Sequence, residues 1–188
     1  MGTAFGANLA LAAIIVATYG SGGHGTTLAL RATARASFLW FIAAYAGGAL
    51  STLFHPRLQP LKRLGRELGL AFAAALLVHL SLVGWLCWIG DAPEIGLFAF
   101  FGPVAVLTYV LAFFSFRNLH TILGPRLWKQ FRLIGMTIIL FAFLRDFVRQ
   151  PLHPAYLPFI VMCIAAPLLR LTAWMLRSSK SNSMTFDA

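Results

Sequence analysis

The chain has 188 residues, 15 Lys and Arg against 5 Asp and Glu, and a composition that is 60% hydrophobic and only 11% charged. Its mean hydropathy of +0.81 lies well above that of an ordinary soluble domain, so bilayer is the expected solvent. A formal charge of +10 would suggest nucleic acid in a soluble protein. Here the basic residues fall between apolar runs, where they set orientation, and no nucleic-acid partner is expected.

A helix crossing the hydrocarbon core needs roughly 20 apolar residues, and six runs approach that length. The first, Thr3 to Gly20, has its end blurred by Gly20, Gly22, Gly23 and Gly25. No Lys or Arg precedes Arg31, so the run lacks the positive start of a signal peptide and is expected to stay in the protein. The second, Ser37 to Phe54, carries Ala43 with Gly47 and Ala44 with Gly48, small pairs four apart that let backbones approach in lipid, as do Gly65 and Gly69. The third, Leu68 to Gly90, and the fourth, Ile95 to Phe116, are the clearest. The fifth, Leu133 to Val148, ends in charges, and the sixth, Ala155 to Arg170, holds Pro158 and Pro167, which predict a kink. The expectation is an all-α polytopic membrane bundle of about six transmembrane helices, one domain over residues 1–177, with a short polar cytoplasmic tail over 178–188.

Six crossings put Arg57, Lys62, Arg63, Arg66, Arg117, Arg126, Lys129, Arg132, Arg170, Arg177 and Lys180 on one side, leaving Arg31, Arg35, Arg145 and Arg149 on the other with Asp91, Glu94 and Asp146. The positive-inside bias then makes both termini cytoplasmic in a bacterial-type inner membrane. Arg57, Lys62, Arg63 and Arg66 are expected to attract anionic lipid head groups, at about 1 kcal/mol per basic residue. Trp40, Trp85, Trp88, Trp128 and Trp174 read as an interfacial belt.

Cys87 and Cys163 lie inside apolar runs without C-x-x-C spacing and read as small buried hydrophobes. Redox chemistry in a membrane bundle usually belongs to haem held by histidines on facing helices. Of the five histidines, His24, His55, His120 and His153 fall in loops or near helix ends. His79 sits well inside the third run and is the best intramembrane ligand candidate, with hydrogen bonding as its bland reading.

The order Arg66, Leu68-Gly69-Leu70, His79, then Gly102 to Ser115, then Leu123-Gly124 and Trp128, resembles the ferric-reductase-like transmembrane domain family over roughly Arg31 to Arg170. Within it, the resemblance is strongest to the haem-bearing membrane subunit of the periplasmic methionine sulfoxide reductase. The resemblance implies a six-helix bundle with a haem ligand at His79. It also implies two further ligand histidines on the fifth helix, and there the chain departs: those places hold Arg132 and Arg145. Arginine stays protonated and offers no lone pair, so it cannot take an axial position on iron. Thirteen helical residues rise about 20 Å, which sets Arg132 and Arg145 near opposite interfaces. Their bland reading is snorkelling anchorage; the sharper one is contact with a haem propionate or a lipid phosphate.

Two functional expectations follow. The first is a non-catalytic membrane subunit that keeps the ferric-reductase-like fold, has lost paired-histidine haem ligation, expects no cofactor, and packs with other integral membrane subunits in a larger electron-transfer or energy-converting complex. The second is a haem b electron-transfer subunit that uses His79 with an unusual second ligand such as His153. No nucleotide domain accompanies the bundle, so neither reading makes the chain an enzyme by itself. A transporter finds little support, since no acidic residue lies deep in a run.

Overall fold

A computed structural model of the chain describes residues 1–54, 58–116, 123–149 and 154–184, with backbone only at Lys62, Pro154 and 177–184. All regular structure among the described residues is helical: α1 (Gly2–Tyr19), α2 (Gly23–Leu53), α3 (Gln59–Arg63), α4 (Gly65–Trp88), α5 (Ile95–Phe116), α6 (Pro125–Arg149), a 3-10 turn at Pro154–Tyr156, and α7 (Leu157–Met184). Five of these, α1, α2, α4, α5 and the Leu157–Leu176 part of α7, are long and apolar enough to cross a membrane. The expected number was six. The helix over the fifth run, α6, is 25 residues long, but Lys129, Arg132, Arg145, Asp146 and Arg149 dilute its apolar character, and it is not among the five.

Element boundaries shift where polar residues sit on helical faces. The second run extends backward by 14 residues, because α2 begins at Gly23 rather than Ser37 and reaches 31 residues. That is about 46 Å of helix, longer than the hydrocarbon core. Arg31 and Arg35 therefore lie within a helix, not in a loop. Gly20 separates α1 from α2 at φ +87, a conformation suited to glycine, and the start of α2 packs so closely that a Cβ at Gly25 would overlap the Gly20 carbonyl. Gly90, at φ +82, ends α4 in the same left-handed manner, with its N–H donating to the Cys87 carbonyl at 3.3 Å. The last helix runs through Pro167 and on to Met184, so the expected tail begins in helix; residues 185–188 are outside the described set.

Side-chain contacts fix the two ends of the bundle. At one end, Arg66 of α4 donates from Nε to the Ser115 carbonyl at 3.0 Å and from Nη2 to the Phe116 carbonyl at 3.1 Å, and the Arg170 guanidinium of α7 covers the Tyr45 ring of α2 at 4.4 Å. At the other, Trp85 Nε1 donates to the Ser21 carbonyl at 3.1 Å, the Asp91 carboxylate lies against Gly23, Arg145 covers the Phe100 ring at 3.8 Å, and Arg35 covers Tyr156 at 4.4 Å.

The core has two characters. Between α2, α4, α6 and α7 it is phenylalanine packed edge-on: Phe38 meets Phe143 at 5.2 Å, Phe147 at 5.1 Å and Phe159 at 5.8 Å, arrangements favoured by the ring quadrupole. Between α1, α2 and α4 it is alanine, with Ala4, Ala12, Ala29, Ala71 and Ala75 all buried. These alanines lie outside the small pairs singled out in the sequence, of which Ala44 and Gly47 are also buried. Gly48 and Gly69 have nothing within 4 Å of a Cβ position, and Gly47 faces Leu61 of α3. The outermost helix is α5, whose buried residues are only Thr108 and Leu111.

Candidate functional site

The α1–α2–α4 interface carries a polar ladder inside the apolar bundle. Asn8, a lone amide in the first run, is 1% exposed and donates from Nδ2 both to Ser37 Oγ and to the Ala75 carbonyl, each at 3.1 Å. One turn further along α2, Thr33 sits 3.2 Å from Nδ1 of His79, which is one turn beyond Ala75 on α4. Thr33 Oγ1 also lies 2.9 Å from the Ala29 carbonyl and 3.1 Å from that of Leu30. The Thr33 hydroxyl proton is taken up by those carbonyls, and the direction of its contact with Nδ1 follows the tautomer of His79. An amide or hydroxyl with no water to bond finds its partner on the next helix, and this ladder fastens α1 and α2 to α4.

A cavity of about 220 Å³ opens elsewhere, between α2, α4, α5 and α6. Gly65, Arg66, Ser115, Trp128 and Arg132 form its polar end, and Phe41, Leu70, Leu111, Met136 and Ile139 its apolar depth. Arg132 reaches in from α6; a Cβ at Gly65 would lie 3.7 Å from its Nη2. The fork of Arg66 is already tied to the end of α5, whereas Arg132 has no hydrogen bond or ion pair among the described residues and shares its surroundings with the like charge of Arg170.

Sequence-derived candidates separate in space. Arg132 lies at the Arg66 end and Arg145 at the Phe100 end, as the helical rise requires. His79 lines neither the cavity nor its mouth. His153, like His55, His120, Arg57 and Arg117, falls outside the described residues. No group of three or more metal-binding side chains occurs among those described. Among the described residues no histidine lines the cavity, and the two arginines that the sequence resemblance singles out, Arg132 and Arg145, carry no lone pair for a metal.

The other end of the bundle holds its cations differently. Nε of Arg35 and Nη1 of Arg145 are buried without hydrogen-bond partners, and both guanidiniums rest on aromatic faces. Arg145 and Arg149 both act on the charge of Asp146, but neither Asp146 with Arg149 nor Arg63 with Glu67 closes to an ion pair. Cys163 is buried as expected, but Cys87 is exposed, because Leu86 takes the inward position beside it. Trp85, Trp88 and Trp174 are exposed as a lipid-facing belt requires, while Trp128 stacks on Phe114 at 6.2 Å. Sequence reasoning missed Asn8, Thr33 and Ser37. A solitary amide in an apolar run was the available signal for the first, and nothing local distinguishes the hydroxyls.

Among known proteins, no family model, no curated protein and no solved structure matches this chain.

Proposed function

We propose that this polytopic membrane protein is a non-catalytic subunit with a ferric-reductase-like bundle that has lost paired-histidine haem ligation and packs against other integral membrane subunits of an electron-transfer or energy-converting complex. The observation that carries the reading is the placement of Arg132 and Arg145 at opposite ends of α6, where ligands would be needed, with His79 bonded to Thr33 away from the cavity. The exposed apolar surface of α5, with two buried residues in a 22-residue helix, leaves a long face for lipid or a neighbouring subunit. We further read α6 as a sixth crossing. Arg132 lies beside Gly65 at the start of α4 and Arg145 over Phe100 near the start of α5, and the charges of α6 sit near its termini, within snorkelling reach of the interfaces. Six crossings set both termini on the basic, cytoplasmic side of a bacterial-type inner membrane.

A second reading, a haem b carrier, has one observation in its favour: Nδ1 of His79 is held 3.2 Å from the Thr33 hydroxyl, the kind of second contact that orients ligating histidines. A dithionite-reduced minus oxidised spectrum of the protein isolated with its partners, with haem extraction on the same sample, separates the two. The subunit reading expects no haem assignable to this chain and stable co-purification of other membrane proteins. A reduced b-type band lost in His79→Ala would overturn it.

A further inference from the structure

The cavity beside Arg132 has a cationic mouth and an apolar depth, and nothing in the fold so far described uses it. A guanidinium drawn in among apolar walls is costly unless an anion meets it. Arg132 finds none among the described residues, Arg66 spends its fork on carbonyl groups, and Arg170 adds a further positive charge nearby. Among the described residues no carboxylate supplies a counter-charge, so the half-buried fork of Arg132 is open to an anion from the bilayer. At about 220 Å³ the cavity falls below the roughly 300 to 1,000 Å³ of sites for compact drug-sized ligands. The upper part of a single flexible chain suits it better, because beyond the mouth its wall is Leu70, Leu111, Met136 and Ile139, with Thr108 bonded to the Val104 carbonyl. Gly69, with no atom within 4 Å of a Cβ position, keeps that wall open.

We propose that this cavity is a site for an anionic phospholipid of the adjoining leaflet, with the head-group phosphate on the free fork of Arg132 and one acyl chain between α4, α5 and α6. The planar fork of arginine matches a phosphate bidentately, and the wet end of the lipid stays at the bundle end where Arg66, Arg132 and Arg170 gather. The proposal does not depend on the subunit reading, since a haem-free or haem-bearing bundle would present the same mouth.

Native mass spectrometry of the intact protein, released from nanodiscs of mixed phosphatidylglycerol and phosphatidylcholine, tests it. The wild type should keep one phosphatidylglycerol in preference to phosphatidylcholine, and Arg132→Gln should weaken that retention about tenfold. Gly69→Leu, which fills the cavity from the α4 wall and leaves every charge in place, should weaken it as well. That second variant keeps the test sharp if Arg132→Gln fails to fold. Equal retention of both lipids, or unchanged retention in a folded Gly69→Leu protein, would overturn the proposal. Displacement of the lipid by millimolar inorganic phosphate would also overturn it, by reassigning the mouth to a soluble anion.

Discussion

Thr33 and His79 form the kind of contact that a bilayer makes consequential, since neither side chain can turn to water instead. Measured couplings between helices in membranes average about 0.6 kcal/mol and reach about 1.7, because the unfolded chain in the membrane finds partners too. A Thr33→Val, His79→Ala double-mutant cycle, read from reversible unfolding in mixed micelles, should therefore give a coupling of roughly 0.6 to 1.7 kcal/mol. A coupling of zero would mean that the 3.2 Å contact does not hold the helices. His79 itself was legible in the sequence, as an ionisable group deep in an apolar run. Its partner was not, because Thr33 precedes the stretch that hydropathy marks as the second crossing. The arginines at 132 and 145 were legible as cations without lone pairs, and the helical rise correctly set them apart. That Arg132 would face a cavity depends on packing between four helices, which no local pattern encodes.

At the scale of elements, the clear apolar runs became helices close to where hydropathy put them; α5 begins and ends at the residues expected, Ile95 and Phe116. Failure came where helices carry polar residues on one face. The 14 residues of α2 before Ser37 hide Arg35 over an aromatic ring and Thr33 against His79, so a tertiary contact makes helical what composition alone reads as a loop. Small-residue spacing rightly put α2 and α4 in the packed bundle, but of its glycines it is Gly47 that meets a facing backbone, the Leu61 carbonyl of α3. Two other glycines are crowded in different ways. At Gly25 a methyl group would strike the rigid Gly20 carbonyl, whereas at Gly135 it would come within 2.8 Å of Leu111 Cδ1, the end of a side chain that can turn. Gly25→Ala should thus destabilise by about 1 to 3 kcal/mol, as overpacking does. Gly135→Ala should be nearly neutral, the gain of about 1 kcal/mol in helix propensity offsetting the displaced methyl. Thermal unfolding in detergent ranks the two, and a Gly135→Ala protein less stable than Gly25→Ala would refute the packing described at the α1–α2 turn.

Across the whole molecule, charge and contact define a vertical axis. Arg63, Arg66, Arg126, Lys129, Arg132 and Arg170 belong to the end where α4 starts and α5 finishes, while all of the described acidic residues except Glu67 belong to the end where α4 finishes and α5 starts. Arg31, Arg35, Arg145 and Arg149 offset part of that asymmetry at the second end, and on the proposed topology the positive-inside bias sets the first end in the cytoplasm. The course of α6 decides whether the chain crosses five times or six, and three exposed positions report on it. In a protein with Cys87→Ser and Cys163→Ala, single cysteines introduced as Asp91→Cys, Arg126→Cys and Arg149→Cys can be probed with a membrane-impermeant maleimide on intact cells. Asp91→Cys and Arg149→Cys should label from outside, and Arg126→Cys only after permeabilisation. Labelling of Arg126→Cys alone would invert the orientation. Protection of Arg149→Cys together with Arg126→Cys would show that α6 does not cross, in spite of a length of 25 residues and ends that contact opposite faces of the bundle. That outcome would leave Arg145 on the cytoplasmic side and undo the separation of Arg132 from Arg145 on which the loss of a transmembrane haem pair is argued.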